Sequence, residues 1–359
     1  MTDILHHLGW DAGWAAAFAA ADSGELAPAR VIIEFNHLYR GVAPGGELQL
    51  QHAGRFKHRA VERSQLAAVG DWVAVRRAAG EATGTIEAVL PRRSRFSRKV
   101  AGELTEEQVV AANIDTVFVV MGLDGDYNPR RLERYLLLAH ESGASPVVLL
   151  SKADLASDLP AAQVETAAIA QSAPVHPISV VTGQGLTDVL GHLGAGQTGA
   201  LLGSSGVGKS TLINALDSEA RLRTQEVRAS DSRGRHTTRH RQLIALSGGR
   251  GLLIDTPGMR ELQLWDASQA GREAFDDIEA LAEECHFTDC RHRDEPRCAV
   301  KRAVSEGRLK EERLASFVKL NEELAALDAR KDARAIIDEK RRSRVTGKAL
   351  KQFQKQRGR

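Results

Sequence analysis

The sequence predicts a multidomain α/β protein, with a small β-barrel first, a domain built on a mostly parallel sheet second, and a helical region last. Three observations lead to this prediction. Short runs of β-forming residues between glycine turns occupy residues 30–100, β-like and α-like stretches alternate from residue 113, and three cysteines cluster within residues 285–298. Evenly spaced short strands are typical of barrels, and β–α alternation is typical of parallel sheets with helices on both faces.

Length and composition restrict the class of protein. The 359 residues suffice for two or three domains, and a hydrophobic share of 42% is ordinary. We expect no membrane span, because no run of about eighteen apolar residues occurs, and the N-terminal residues lack the layout of a signal peptide. Three cysteines in one short stretch favour a metal site in a reducing compartment. We therefore expect a cytoplasmic protein, and we expect a monomer.

Residues 1–29 are predicted to form an N-terminal arm. Its apolar residues follow an irregular amphipathic pattern that favours a short helix: Leu5, Leu8, Trp10, Trp14 and Phe18. Packing against a core explains the tryptophans better than binding of a ligand does.

Residues 30–100 are predicted to form a barrel of the OB type, with strands at 30–35, 46–51, 70–75 and 84–90. Basic residues occupy one connection and the segment after the last strand: Arg55, Lys57, His58, Arg59, Arg92, Arg93, Arg95, Arg98 and Lys99. Basic loops on a small barrel are typical of nucleic-acid binders. A solvated surface explains the same residues, and the sequence leaves both interpretations open.

Residues 101–272 are predicted to form the central domain. Buried strands are expected at 114–121 and 146–150, with a helix at 129–142 between them and a short helix at 186–193. In a parallel sheet, the loops that bind ligands lie beyond the carboxyl ends of the strands. Motifs that follow these strands are therefore the best candidates for a site.

An apolar strand-like run is followed by the phosphate-loop pattern G-x-x-x-x-G-K-[ST] and then by the start of a helix. Glycines let backbone N–H groups surround a phosphate, and the helix N-terminus adds partial positive charge. Lys209 is expected to reach the β- and γ-phosphates, and the Ser210 hydroxyl to bind Mg²⁺. The predicted nucleotide contacts here are Gly203, Ser204, Ser205, Gly206, Val207, Gly208, Lys209, Ser210 and Thr211.

The tetrapeptide Ser151-Lys152-Ala153-Asp154 follows the second predicted strand of this domain and resembles the guanine-reading N-K-x-D motif of GTPases. The Asp154 carboxylate offers two acceptors for the N1–H and the 2-amino group of guanine, and adenine has no such donor pair. The stem of Lys152 is expected to lie against the base. Serine in place of asparagine removes one amide, which is expected to weaken nucleotide binding but leaves Asp154 in place. Ser179 occupies the place of a second base-contact loop.

A D-x-x-G motif from Asp255 to Gly258 ends another apolar run. Its aspartate is expected to hold Mg²⁺ through water, the Gly258 amide to sense the γ-phosphate, and Thr238 to complete the Mg²⁺ shell. Ras-like enzymes orient the attacking water with a glutamine just after this glycine, but here that residue is Met259. We therefore expect slow intrinsic hydrolysis, completed by His236 or by a partner. A solvent-exposed His236 without a catalytic role is the alternative.

The order of these motifs differs from that of ordinary GTPases, in which the guanine motif follows the phosphate loop. All of the motif loops are expected at one edge of one sheet, so the site survives when the chain is cut elsewhere and the old ends are joined. The central domain is therefore interpreted as a circularly permuted P-loop GTPase. Its expected ligands are GTP or GDP and Mg²⁺.

Residues 273–330 are predicted to form a zinc-binding helical domain. The spacing C-x₄-C-x-H-x₅-C is formed by Cys285, Cys290, His292 and Cys298. Three thiolates and one imidazole suit tetrahedral Zn²⁺, and four protein ligands predict one structural zinc ion. Three free cysteines beside a histidine are the alternative.

Helices are expected at 309–326 and 333–337, and residues 331–359 are predicted to form a basic tail. Basic tails often contact nucleic acid, and a solvated disordered end has the same composition.

The combination of features resembles the RsgA/YjeQ family of small-ribosomal-subunit biogenesis GTPases. These features are the barrel, the order S-K-A-D, then G-S-S-G-V-G-K-S, then D-T-P-G, and the cysteine–histidine spacing. The segments Gly70-Asp-Trp, Pro91-Arg-Arg-Ser and Ala112-Asn-Ile-Asp-Thr-Val resemble linking segments of that family, and the likeness covers residues 30–325. The resemblance implies GTP hydrolysis stimulated by the small ribosomal subunit during its late maturation, with the barrel and the zinc region contacting ribosomal RNA. The sequence departs from the family pattern at two positions. Ser151 replaces the usual asparagine, and Arg239 stands where a third threonine is common.

Two other functions fit the residues alone. One is a nucleotide-gated RNA-binding scaffold with little turnover, and the other is a P-loop enzyme that uses ATP. Turnover measured with and without small subunits separates a GTPase from the scaffold, and the base preference tests the ATP alternative.

Overall fold

The computed structural model describes residues 3–21, 24–35, 38–54, 63–77, 81–100, 106–204, 206–217, 241–255, 275–287, 290–293, 295–311, 313–315, 317–318 and 321–322. The chain divides into two compact units. One comprises Met1–Arg98 with Glu107–Leu264, and the other comprises Lys99–Glu106 with Trp265–Arg359. Among the described helices, none combines the length and the apolar character that crossing a bilayer requires.

Five strands close into an OB-like barrel: β1 (Ala27–Phe35), β2 (Leu38–Ala43), β3 (Gly46–His52), β4 (Trp72–Arg76) and β5 (Thr83–Val89). They pair in the order β1–β2–β3–β5–β4, and β4 returns to β1. Alternate residues of a strand point to the same face, and Val31, Leu50, Val73 and Ile86 are buried in the barrel core. The predicted barrel is confirmed.

The sequence prediction contained four of these strands and missed β2. Arg40 and Gly41 interrupt the apolar pattern in the middle of this strand, and glycine weakens a strand signal because it has no side chain to pack. The structure gives a reason for the glycine. A Cβ atom on Gly41 would lie 2.5 Å from Leu50 Cδ1, so Leu50 fills the space that a side chain at position 41 would need.

The N-terminal arm packs on the barrel through aromatic rings. It contains α1 (Asp3–His7) and α2 (Ala12–Ala21). The rings of Trp10 and Trp72 lie 4.7 Å apart, and those of Trp14 and Trp72 lie 6.2 Å apart. Such contacts combine large apolar burial with favourable ring geometry. The prediction that core packing accounts for these tryptophans is confirmed.

The segment after β5 contains a buried ion pair. Arg92 donates through Nε and Nη2 to the two carboxylate oxygens of Asp71, at 2.8 and 2.7 Å. It also donates to the carbonyls of Ser64 and Leu66 at 2.6 and 2.7 Å. The Asp71 side chain is fully buried and that of Arg92 is 11% exposed. The interpretation of Arg92 as part of a basic surface is therefore wrong, because its charge is paired with the buried carboxylate of Asp71.

Two further strands, β6 (Arg95–Val100) and β7 (Glu106–Ala112), form a two-stranded sheet. The sequence prediction treated residues 95–99 as a basic connection and did not contain these strands. β6 is rich in charged and polar residues, and its Ser97 Oγ donates to Glu107 at 2.6 Å, so the apolar pattern of this strand is weak. The predicted boundary between residues 100 and 101 falls between the two strands.

The central sheet contains six strands: β8 (Thr116–Gly122), β9 (Ser145–Ser151), β10 (Val175–Pro177), β11 (Thr198–Gly203), β12 (Arg241–Ala245) and β13 (Leu252–Asp255). Their order is β10–β9–β8–β11–β13–β12, and every pair except β12–β13 is parallel. Every residue of β8 and β11 is buried, as expected for parallel strands covered on both faces. The predicted mostly parallel sheet is confirmed.

The helices of the central domain connect these strands: α3 (Pro129–Ser142), α4 (Leu159–Ala170), α5 (Leu186–Gly191) and α6 (Lys209–Leu216). α3 packs against α4 and against β8 and β9, and α5 and α6 contribute Val189 and Leu212 to the hydrophobic core. α3 has the bounds that the sequence predicted. The Asn128 side chain caps its N-terminus by accepting a bond from the Arg131 amide at 3.0 Å, and Gly143 ends it in the left-handed conformation.

The barrel and the central sheet are continuous. β1 pairs with β12, with Ile33 opposite Gln242 and Glu34 opposite Arg241, and the last two side chains form an ion pair at 2.8 Å. The buried Arg30 of β1 also donates to Thr198 Oγ1, at the start of β11, at 2.8 Å. Burial lowers the pKa of Arg30 to about 10. One eleven-stranded sheet therefore runs through both parts of this unit.

The core of the central domain lies between the sheet and its helices. Phe118, Leu149, Ile213 and Leu253 are fully buried there. Each fully buried side chain of this size contributes about 1.5–3 kcal/mol. The core therefore holds β8, β9, β11 and β13 in register, and with them the loops at their carboxyl ends.

The described part of the second unit includes two short helices. It contains α7 (Asp276–Ala282) and α8 (Ala299–Ser305), and the described residues between 311 and 322 are helical, within the predicted helix 309–326. The rings of Phe275 and Phe317 pack at 5.5 Å, and Arg313 bonds both carboxylate oxygens of Asp277 at 2.6 and 2.7 Å. The predicted helix 333–337 and the basic tail lie outside the described residues.

Candidate functional site

The predicted nucleotide motifs meet at one edge of the central sheet. β8, β9, β10, β11 and β13 are parallel, so the loops after them leave the sheet on the same side. The described loops begin with Leu123, Lys152, Ile178 and Ser204, and β13 ends at Asp255. Motifs that are far apart in the chain are thereby placed beside one another.

The phosphate-loop motif has the backbone that its glycines allow. Gly206 and Gly208 have φ of 77° and 100°, a left-handed conformation that favours glycine. A Cβ atom on Gly203 would lie 2.5 Å from the Val120 carbonyl, so this glycine is needed for close packing against β8. Lys209 is the first residue of α6, and its Nζ donates to the carbonyls of Gly203 and Ser204 at 2.8 and 2.5 Å.

The start of α6 offers donors for an anion. Its N-cap is Gly208, which contributes no side-chain bond to the first turn, and the first N–H groups of a helix lack partners within the helix. The motif residues Ser210 and Thr211 lie in this turn and are exposed. Backbone donors, a lysine and two hydroxyls therefore share one site, a set that suits a polyphosphate.

Ser151 joins the guanine motif to the phosphate loop. It ends β9 and is buried, and its Oγ lies 2.9 Å from the Val207 carbonyl and 3.3 Å from the Met121 carbonyl. One hydroxyl hydrogen serves one acceptor at a time, and the shorter bond points to Val207. The serine that departs from N-K-x-D thus contacts the phosphate loop through its hydroxyl.

The rest of the guanine motif forms a turn beside the predicted second base loop. Lys152 has a left-handed φ of 58°, and the Ala153 amide donates to the Ile178 carbonyl at 3.0 Å. Asp154 follows in a 3₁₀ turn and is exposed. Ser179 is buried, and its Oγ accepts a bond from the Thr182 amide at 3.2 Å. The structure therefore brings the two predicted base-contact segments together.

The sequence reasoning missed two aspartates in the loop between β8 and α3. Asp124 accepts a bond from Lys152 Nζ, and Asp126 accepts a bond from Ser204 Oγ. The hydrogen bond from Lys152 lowers the pKa of Asp124. The available signal was their position, since two acidic residues follow directly after a buried strand of a parallel sheet.

The D-x-x-G aspartate ends its strand at the same edge. Asp255 is the last residue of β13 and is half-buried, and its neighbour Ile254 pairs with Ala200 of the phosphate-loop strand. The predicted site residues Ser205, His236, Thr238 and Gly258 lie outside the described residues, as does Met259.

The three cysteines and His292 form a compact cluster in the second unit. Their ligand atoms all lie within 4.8 Å of one another. The Sγ atoms of Cys285 and Cys298 are 3.9 Å apart, and His292 Nδ1 lies 3.7 and 3.4 Å from them. Two thiolates on a tetrahedral Zn²⁺ at ~2.3 Å lie about 3.8 Å apart. The four predicted ligands are therefore brought together at a spacing compatible with zinc.

Backbone and burial prepare this cluster for a cation. The Ala299 amide donates to Cys285 Sγ at 3.3 Å and the Lys301 amide to Cys298 Sγ at 3.4 Å; such bonds stabilise thiolates. Burial lowers the pKa of His292, which favours the neutral imidazole that a metal requires. Burial also raises the pKa of the Cys290 thiol to about 11, so a bound cation has to displace a proton there.

The fold and the site define a class of protein. The phosphate loop follows β11, which lies between β8 and β13 in the sheet. The guanine motif follows β9, which precedes the phosphate loop in the chain. This is the arrangement of a circularly permuted P-loop GTPase. The model of the RsgA GTPase family matches residues 89–265. The small ribosomal subunit biogenesis GTPase RsgA of Opitutus terrae is 47% identical in sequence, over 91% of this chain and 92% of its own length. The chain belongs to the RsgA GTPase family.

Solved structures agree with this assignment. The crystal structure of YjeQ from Thermotoga maritima is similar with a TM-score of 0.60 and 26% identity, over 84% of this chain and 99% of that chain. YloQ, described as a circularly permuted GTPase, is similar in fold with a TM-score of 0.58 and 23% identity, over 86% of this chain and 98% of that chain. The predicted family, the permuted fold and the GTPase activity are confirmed.

Proposed function

We propose that this GTPase binds GTP at the described sheet edge and hydrolyses it on the small ribosomal subunit during late maturation of that particle. The name of the Opitutus terrae relative supports the choice of particle. The observation that carries the nucleotide assignment is the 2.9 Å distance from Ser151 Oγ to the Val207 carbonyl. It supports the proposal because residues 151 and 207 are far apart in the chain and yet in contact.

At the base end, Asp154 would accept the two donors of guanine, and the stem of Lys152 would lie along the ring. The exposure of Asp154 supports this role, because a carboxylate that reads a ligand has to be free to meet it. Ala153 and Ser179 would line the base pocket through the contact of their two segments. Ser151 would hold the pocket to the phosphate loop.

At the phosphate end, the amides of residues 203–211 would surround the phosphates, and Lys209 would turn from the loop carbonyls to the β- and γ-phosphates. Ser210 and Thr238 would hold Mg²⁺, with Asp255 reaching it through water. Mg²⁺ supplies neutralisation of the phosphate charge. The Gly258 amide would sense the γ-phosphate, and His236 would help to position the attacking water.

In the second unit, Cys285, Cys290, His292 and Cys298 would hold one structural Zn²⁺. The donor set and the spacing within 4.8 Å support zinc. A closed set of four protein ligands supplies stability to a small unit rather than chemistry, because no coordination position is left for a substrate.

The partner surface would be ribosomal RNA. Arg291, Arg293 and Arg297 alternate with the cysteine and histidine residues in the sequence, and clustered arginines suit phosphate contacts. The barrel is of the OB type, which commonly binds nucleic acid. We further propose a cytoplasmic monomer that does not associate with membranes.

The decisive experiment is a GTPase assay with purified small ribosomal subunits, large subunits and no subunits, with ATP as the control nucleotide. We expect slow GTP turnover alone, a strong increase with small subunits only, and no turnover of ATP. Equal turnover with and without small subunits, together with nucleotide-dependent subunit binding, would favour the scaffold. Turnover of ATP at the same rate as GTP would refute the base assignment.

A further inference from the structure

The loop between β8 and α3 contacts both halves of the nucleotide site. Asp124 of this loop accepts a bond from Lys152 Nζ in the guanine motif, and Asp126 accepts a bond from Ser204 Oγ in the phosphate loop. The Leu123 amide also donates to the Ser151 carbonyl at 2.9 Å. A single short loop is therefore bonded to two motifs that are remote from each other in the chain.

The backbone of this loop is shaped to present the two carboxylates. A Cβ atom on Gly122 would lie 2.6 Å from Asp124 Oδ1, 3.4 Å from Val207 Cγ2 and 3.6 Å from Asp126 Cβ, so all three side chains converge on the space above this glycine. Gly125, between the aspartates, has a φ of 91°. A left-handed residue at this position reverses the chain, which lets neighbouring carboxylates face different partners.

Asp126 is itself anchored to a helix. Arg131, in the first turn of α3, lies 3.0 Å from its Oδ2 and also donates to its backbone carbonyl. The carboxylate thus joins the phosphate loop to a helix whose N-terminus is capped by Asn128. Held on one side by α3, Asp126 can restrict the motion of Ser204.

We propose that Asp124 and Asp126 are positioning residues for the bound guanine nucleotide. Asp124 holds the stem of Lys152 beside the base, and Asp126 holds Ser204 so that the phosphate loop keeps its shape. The inference rests on the proposed nucleotide site. Fixing a flexible side chain before the ligand arrives removes part of the entropic cost of binding.

The experiment uses the full chain and measures affinity for fluorescently labelled GDP, with unlabelled GDP and inorganic tripolyphosphate as competitors. Tripolyphosphate has no base, so it reports on the phosphate loop alone. Asp124→Ala should weaken GDP about three- to tenfold and leave tripolyphosphate unchanged, because the ion pair with Lys152 is partly exposed. Asp126→Ala should weaken both competitors by a similar factor. Asp124→Asn and Asp126→Asn keep an acceptor oxygen and should restore most of each loss.

The exposed Glu165 of α4 provides the matched control, since Glu165→Ala removes a carboxylate from the same domain outside these loops. Wild-type chain that fails to bind GDP would refute the proposed nucleotide site, whatever the variants do. Wild-type binding with unchanged GDP affinity in Asp124→Ala would refute the positioning role alone. Three other results would also contradict it. Asp124→Ala could lose affinity for GDP and for tripolyphosphate equally, the alanine and asparagine variants could lose affinity equally, or either alanine variant could bind more tightly.

Discussion

The buried pair between Asp71 and Arg92 allows a quantitative prediction for Arg92→Ala. The substitution leaves the fully buried Asp71 carboxylate with one described donor, the Ala68 amide at 2.8 Å. Removing one partner of a buried ion pair costs about 3–5 kcal/mol, because the other charge stays buried without compensation. The carbonyls of Ser64 and Leu66 lose a donor as well. We expect the free energy of unfolding of the barrel to fall by about 4 kcal/mol.

The next residue in the chain supplies a matched control. Arg93 pairs with Asp11 at 2.6 Å, but both side chains are about half exposed, at 50% and 49%. An exposed pair contributes about 0.2–1 kcal/mol, and the Arg93 guanidinium lies 4.3 Å from the centre of the Trp14 ring, a contact worth about 0.5–1 kcal/mol. Arg93→Ala should therefore cost roughly a quarter to a half as much as Arg92→Ala.

Urea unfolding followed by tryptophan fluorescence measures this difference, since Trp10, Trp14 and Trp72 are three of the four tryptophans in the chain. With a slope of about 2 kcal/mol per molar urea, the midpoint should fall by about 2 M in Arg92→Ala and by at most about 1 M in Arg93→Ala. Replacing the pair by apolar residues, Asp71→Leu with Arg92→Met, should recover much of the loss. Equal midpoints for the two alanine variants would refute the reasoning.

Four further predictions concern the site and the pH dependence. Asp154→Asn should shift the preference from GTP toward xanthosine triphosphate, because the new amide can donate to the extra carbonyl of xanthine; competition binding with the two nucleotides measures this, and an unchanged preference would refute the base assignment. Lys209→Ala should abolish hydrolysis in the subunit assay and preserve binding to small subunits by co-sedimentation, whereas loss of both would show that the domain has unfolded. Cys298→Ser should lower zinc from one ion per chain to well below one by elemental analysis, and full zinc content would exclude this cysteine as a ligand. The hydrogen bond from Arg93 lowers the pKa of Asp11 from 3.8 to about 2. Because the pKa in the folded state lies below that in the unfolded state, the pair stabilises the fold above about pH 4. This stabilisation is lost as the pH falls toward 2. Acid unfolding should therefore be less steep across this window in Arg93→Ala than in the wild type, and identical pH profiles would contradict this account.

Local patterns predicted the parts of the fold that depend on neighbouring residues. The bounds of α3 follow from an asparagine cap, a proline at the first turn and a glycine at the end, and the phosphate-loop and cysteine motifs depend on fixed spacings. Each of these signals is complete within a short stretch of sequence, and the structure or the family assignment agrees with it.

Contacts between distant residues could not be predicted in the same way. β2 was missed because its glycine makes room for Leu50 of another strand. Arg92 was misinterpreted because its partner Asp71 lies 21 residues earlier in the chain. The bond from Ser151 to Val207 likewise depends on the order of strands in the sheet. A sequence pattern shows which type of residue stands at such a position, but it does not show which distant residue it contacts.

The ladder between β1 and β12 has a practical consequence for dissecting this protein. A fragment that starts near residue 101 would leave the N–H and C=O groups of β12 unpaired at an exposed sheet edge, and Arg241 would lose its partner Glu34. Unpaired sheet edges of this kind pair with strands of other molecules and cause aggregation. Studies of nucleotide turnover therefore require the barrel to stay attached, even where its own binding surface is of no interest.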